Sequence, residues 1–144
     1  MKLDEPIKEF QELVTQLENS LIKKNPELLM SVEHVTPVQF ATGMALIEHG
    51  PMTMGHVAKN IGVKLSNLTG IIDRMVGKKY VIRIRDEEDR RVVKVRLTPV
   101  GKKVISRIYE EKLKYLRLIM NHLNRSEQKQ FITLLRKIVS SLKK

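Results

Sequence analysis

The 144-residue sequence contains no cysteine and no tryptophan, only three phenylalanines and three tyrosines, and no long apolar run. Each absence removes a class of function. Without cysteine there is no disulfide framework, no thiolate metal site and no catalytic or redox-sensing thiol. No stretch approaches the roughly 20 apolar residues that cross a bilayer, and residues 1–6 do not open an apolar signal core, so no membrane partner and a cytoplasmic location are expected. Three Phe and three Tyr hardly make the stacking platform that single-strand binders rely on. No glycine-rich phosphate loop or nucleophile motif occurs. The histidines His34, His49, His56 and His122 lack cysteine partners and metal-site spacing, and the acidic run 86–89 lacks the alternating ligands and glycine of a calcium loop. The chain is therefore expected to be no enzyme and to need no metal or cofactor.

What is present in excess is positive charge: 27 Lys and Arg against 16 Asp and Glu, a net +11. Such an excess points to an anionic partner, nucleic acid before a membrane surface. With stacking aromatics scarce, double-stranded DNA read through a groove and its phosphates fits best.

The hydrophobic pattern shows how such a partner would be met. Ile7, Phe10, Leu13, Val14, Leu17 and Leu21 recur at helical spacing over residues 6–23, and Asn25-Pro26 predicts the stop. Thr36-Pro37-Val38-Gln39 reads as a capping box with proline at the first helical position, starting a helix that Gly50-Pro51 ends near His49. Thr53 is placed to cap a short helix over residues 54–60, closed by Ile61-Gly62. A further helix carries Leu68, Ile71, Ile72 and Met75 on one face. Two short helices joined by a glycine-containing turn make a helix-turn-helix.

The period then falls to two. Ile82 and Ile84 alternate with Arg83 and Arg85, and Val93, Val95 and Leu97 with Lys94 and Arg96, across the polar segment 86–90. This predicts a β-hairpin, or wing. Helical spacing returns from Pro99 for about 24 residues, some 36 Å of helix. A turn at Asn124-Arg125-Ser126 leads to a last helix bearing Phe131, Leu134, Leu135, Ile138, Val139 and Leu142. The predicted fold is mainly α with a small β-hairpin wing: a winged helix-turn-helix flanked by N- and C-terminal dimerisation helices. The terminal stripes exceed what so small a core covers, and a second copy is the economical partner.

In a helix-turn-helix, the N-terminal residues of the second helix face base edges in the major groove. Here they are Lys64, Ser66, Asn67, Thr69 and Gly70, of which Asn pairs well with adenine. Ser66 and Asn67 read equally as a helix-start cap. Gly70 would let the helix lie close to DNA, and Arg74, one turn on, would contact phosphate or brace the wing. Residues 64–103 hold twelve basic and five acidic residues, +7 of the chain's +11. An arginine on a thin β-tip fits a narrow minor groove, which singles out Arg90 and Arg91, with Asp89 orienting its neighbour through a charge-assisted hydrogen bond.

Leu68-Thr69-Gly70-Ile71-Ile72-Asp73-Arg74-Met75, then Asp89-Arg90-Arg91, then Leu97-Thr98-Pro99-Val100-Gly101 resemble, in this order, the motifs of the MarR family of regulators. The resemblance covers nearly the whole chain. It implies that Arg91 is the wing arginine of the minor groove, that Asp89 braces it, and that residues 66–70 form the base-reading face. It implies one domain over 1–144, with a DNA-binding lobe at 36–99 and a dimerisation region at 6–23 plus 100–142. It also implies a homodimeric repressor and a small aromatic effector in a cleft drawing on Phe10, Val14, Phe40, Met44 and Tyr109, although each of these residues reads as well as core. Two positions depart from the family pattern: Lys64 replaces a capping Ser, and Lys79 a helix-ending Gly. The rival classes are a winged helix that binds protein instead of DNA, and a basic RNA-associated module.

Overall fold

The computed structural model describes residues 4–24, 26 and 35–144. Among these, helices α1 (Glu5–Lys24), α2 (Pro37–His49), α3 (Met54–Ile61), α4 (Leu65–Gly77), α5 (Pro99–Met120) and α6 (Arg125–Leu142) accompany strands β1 (Met52–Thr53), β2 (Val81–Arg85) and β3 (Val93–Leu97). The structure is thus mostly helical with one small antiparallel sheet, as expected. Two compact units divide it, Met1–Tyr109 and Glu110–Lys144, with the boundary inside α5.

Local signals set the helix ends. Thr36 Oγ1 accepts from the Gln39 N–H at 3.2 Å while Gln39 Oε1 accepts from the Thr36 N–H at 3.1 Å, so the capping box at α2 is closed. Thr53 Oγ1 accepts from the His56 N–H at 3.2 Å and starts α3, and Gly62, at φ 75°, ends it in the left-handed region. The expected stop of α1 at Asn25 lies outside the described residues.

In the first unit, Leu46 of α2, Val57 and Ala58 of α3, Leu68, Ile72 and Met75 of α4, Val81 of β2 and Val95 of β3 form the core. The α4 residues lie four and then three apart, one helical stripe turned inward. Gly43 brings α2 close to α5: a Cβ there would meet Ile105 Cγ1 at 2.5 Å.

The sheet runs in the order β1-β3-β2. The hairpin is present, but its neighbour β1 was not visible in the sequence; Met52 pairs with Val95 and Thr53 with Lys94. The inner face of β2 also differs from the expected apolar alternation. Val81, opposite Leu97, and Arg83, opposite Val95, share the side of the buried valines, whereas Ile82 and Ile84 lie on the other face.

The end of α4 answers the Lys79 question. The Tyr80 N–H donates to Met75 O and the Lys79 N–H to Val76 O, both at 2.9 Å, with Lys79 at φ 61°. This is a Schellman motif with lysine in the position glycine favours, at a cost of about 1–2 kcal/mol. Thr98 locks the same corner to the start of α5. Its Oγ1 donates to Lys79 O at 2.6 Å and accepts from the Gly101 N–H at 3.0 Å.

In the second unit, Asn124 and Glu127 close a capping box at α6, so Arg125 and Ser126 are already helical. Gln128 Nε2 donates to Met120 O and Leu123 O, at 2.9 and 3.1 Å, satisfying carbonyls at the end of α5. No residue of α6 is buried, and Leu142 is 81% exposed.

Candidate nucleic-acid interface

Burial of Leu68, Ile72 and Met75 turns the opposite side of α4 to solvent. Ser66, Asn67, Thr69 and Arg74 are exposed there, with Gly70 half-buried between them. The helix begins at Leu65 with Lys64 at the N-cap position, and the lysine makes no capping bond. Ser66 and Asn67 sit inside the first turn, so neither is the cap. Thr69 Oγ1 donates to Leu65 O at 3.2 Å, which leaves its lone pairs as acceptors. At Gly70 an added Cβ would lie 3.5 Å from Arg74 Nη2, so the arginine lies along the helix over the glycine. Among the described residues no hydrogen bond or ion pair joins Arg74 to the wing. The tie to the wing is made by its neighbour Asp73, which accepts from Arg83 Nη2 on β2.

The wing tip is tied down by its own side chains. Asp86 Oδ1 pairs with Lys94 Nζ at 3.2 Å, and Asp86 Oδ2 accepts from the Asp89 N–H at 3.3 Å. Arg85 Nη1 donates to Arg90 O at 2.9 Å, spanning the tip. Arg85 and Lys94 therefore work inside the wing and Arg83 ties it to α4, although by composition all three count as free positive charge. The Arg83 tie joins residues ten apart on different elements, and no local sequence pattern announced it.

At the extremity, Asp89 Oδ1 accepts from the Arg91 N–H at 3.1 Å and from Arg91 Nε at 3.0 Å, and Oδ2 accepts from Arg91 Nη2 at 3.1 Å. The Arg91 side chain is 91% exposed. The guanidinium and backbone N–H of Arg91 hold the Asp89 carboxyl below its usual range, and the carboxylate holds Arg91 above its own. Arg90 points a second exposed cation from the same turn.

The five residues expected at an effector cleft lie on three helices. Phe10 (70% exposed) and Val14 are on α1, Phe40 and Met44 on α2, and Tyr109 on α5, with Val14, Phe40 and Met44 half-buried. A hollow beside the wing is lined by Pro51, Ile84, Arg85, Asp86, Glu87, Glu88 and Lys94, and by none of those five. No helix among the described residues is long and apolar enough to cross a membrane.

The profile of the MarR family matches residues 35–93. The chain is 34% identical over 98 residues to the uncharacterized HTH-type transcriptional regulator YsmB of Bacillus subtilis, covering 68% of this chain and 67% of that one. It is 32% identical over 107 residues to the HTH-type transcriptional repressor NicR of Pseudomonas putida, covering 74% and 68%. The solved structure of a MarR family protein from Bacillus stearothermophilus aligns over 99% of this chain and 100% of its own, with a TM-score of 0.67 and 27% identity. Capped helix-turn-helix, tied wing and matching relatives agree: the chain belongs to the MarR family of HTH-type transcriptional regulators.

Proposed function

We propose that this regulator is a homodimeric repressor, without enzymatic activity, that reads a pseudo-palindromic site in double-stranded DNA. The observation that carries the reading is the exposed Arg91 guanidinium, fixed by Asp89 at the wing tip, beside a helix whose outer face offers Asn67, Ser66 and Thr69. Asn67 and its neighbours read base edges in the major groove. Arg91 enters the minor groove and reads charge and width. Lys64, Arg74 and Arg90 contact phosphates, which position the protein but carry no sequence information. Residues 36–99 act as the DNA-binding lobe.

Dimerisation through residues 6–23 and 100–142 follows from unpartnered apolar stripes. Ile7, Phe10, Leu13 and Leu17 on α1, and Phe131, Leu134, Leu135, Ile138 and Leu142 on α6, are all exposed in the single chain. Contiguous apolar faces of this kind mark interfaces, and an obligate one buries more than roughly 2,000 Å². Repression is supported by the similarity to NicR, a transcriptional repressor. We further propose that a small aromatic effector binds near Phe10, Val14, Phe40, Met44 and Tyr109 and releases DNA by favouring a dimer whose lobes are wrongly spaced for it.

Selection of bound duplexes from random DNA, with single strands as competitor, tests the reading. The expected product is a site with two half-sites about 34 Å apart. Equal capture of single strands would favour the RNA-associated class, and failure to enrich any duplex would remove the operator.

A further inference from the structure

Among the ties that hold the wing, one reaches outside it. Arg83 Nη2, in the middle of β2, donates to Asp73 Oδ1 on the solvent side of α4. The pair is exposed, 36% for the Arg83 side chain and 60% for that of Asp73, and exposed ion pairs contribute little to global stability. Its position argues for another role.

Asp73 is the only acidic residue on α4. On a helix that approaches a polyanion, a carboxylate opposes binding by simple Coulomb repulsion. Arg83 cancels that charge and is itself withheld from phosphate. The pair is close to neutral toward DNA, so what it supplies is geometry. Elsewhere the wing is internally fixed: Lys94 on Asp86, Arg85 on the Arg90 carbonyl, Arg91 on Asp89. Its base is fixed by Thr98 on Lys79. Val81 and Val95 pack the hairpin into the core with α4, and Asp73–Arg83, ten residues apart in sequence, adds the polar tie from the outer side of α4 to the middle of β2.

We propose that Asp73 and Arg83 form a strut that sets the spacing between the base-reading helix and the wing tip, making both of them positioning residues for simultaneous entry into two grooves. This rests on the DNA-reading function proposed above. The alternative, in which Arg83 is a phosphate contact that Asp73 merely restrains, predicts the opposite sign for one substitution. Removing the acid would then free the arginine and tighten binding.

The test uses the full-length protein with the selected duplex and with random duplex, together with amide exchange across β2 and β3. Asp73→Asn and Arg83→Gln are each expected to weaken the selected duplex by about tenfold, on the scale of one lost specific contact. Asp73→Asn, having lost a negative charge, should hold random duplex at least as tightly as the parent. Both should speed exchange in the wing. The exchanged pair Asp73→Arg with Arg83→Asp should recover most of the loss. Should that double variant fail to fold, Arg83→Lys, which keeps the charge but not the fork, should keep random binding and lose part of the selected binding. Asp73→Asn binding the selected duplex as tightly as the parent, or more tightly, overturns the strut and leaves the operator reading intact. A parent that selects no sequence sinks the operator reading instead. The exchange rates then decide, and unchanged wing exchange in both single variants overturns the strut.

Discussion

Asp89 holds Arg91 by its backbone and its side chain at once: one carboxylate accepts from the Arg91 N–H, Nε and Nη2 at 3.0–3.1 Å. A long, rotamer-rich side chain is thereby ordered before it meets a partner, which lowers the entropic cost of binding.

The pair makes a statement about pH. The Asp89 pKa is lowered by Arg91, so its contribution is present above the ordinary carboxylate value of about 3.9 and is lost only as pH falls through the lower folded value. The Arg91 pKa is raised, so its side of the pair persists until strong alkali. DNA affinity should therefore show no step from this pair between about pH 5 and 8, the range in which histidine titrates. In an NMR titration the Asp89 carboxyl should have a midpoint below the ordinary value and move upward in Arg91→Ala. An unchanged midpoint would contradict the bidentate bond.

Gly101 should tolerate no side chain. A Cβ there would stand 2.0 Å from Tyr80 O and 2.7 Å from its carbonyl carbon, both backbone atoms clamped by Thr98. Gly101→Ala is expected to destabilise by about 1–3 kcal/mol or more. Gly77→Ala, with nothing within 4 Å of the new atom, should stabilise α4 by about 0.5–1 kcal/mol. Thermal unfolding of both variants separates steric clash from helix propensity.

Lys79→Gly should raise stability. Relief of the left-handed strain, about 1–2 kcal/mol, exceeds the added chain entropy of glycine, about 0.5–1 kcal/mol. Lys79→Val should do the reverse, since branched side chains fit φ 61° worst. Denaturant unfolding should rank the three Gly, Lys, Val, and Val above Lys would be inconsistent with the Schellman corner.

Assembly gives a fourth expectation. Sedimentation of the full chain at micromolar concentration should show a dimer, and Leu135→Asp with Ile138→Asp, on the exposed stripe of α6, should shift it to monomer. A parent that sediments as a stable monomer removes the proposed dimer.

Helix starts and stops were legible because they are written in short range. The Thr36–Gln39 box, the Thr53 cap and the Gly62 stop each need only a few consecutive residues. The wing was legible from its change of period. What escaped was decided by pairing across distance. Strand β1 has two residues, too few for any period, and exists through its ladder with β3. In β2 apolar residues stand at 81, 82 and 84, so alternation alone picks the wrong face. Packing of Val81 under α4 and the reach of Arg83 to Asp73 set the register. Ser66 read as a cap by propensity, yet burial of Leu68 and Ile72 starts the helix at Leu65 and draws the serine inside it. At the site, the Asp89–Arg91 bond was legible because its partners lie two residues apart; the Asp73–Arg83 tie, helix to strand, was not.

The most direct measurement is the affinity of Arg91→Ala for random duplex DNA as a function of salt concentration. A minor-groove arginine at each wing tip should, when lost, weaken selected and random duplex alike and lower the slope of log K against log salt by about 0.9 per contact, or about 1.8 for a dimer. Asn67→Ala should leave that slope unchanged while costing about 1–3 kcal/mol on the selected site. If Arg91→Ala binds random duplex as tightly as the parent at low salt, with the same slope, the wing does not enter DNA.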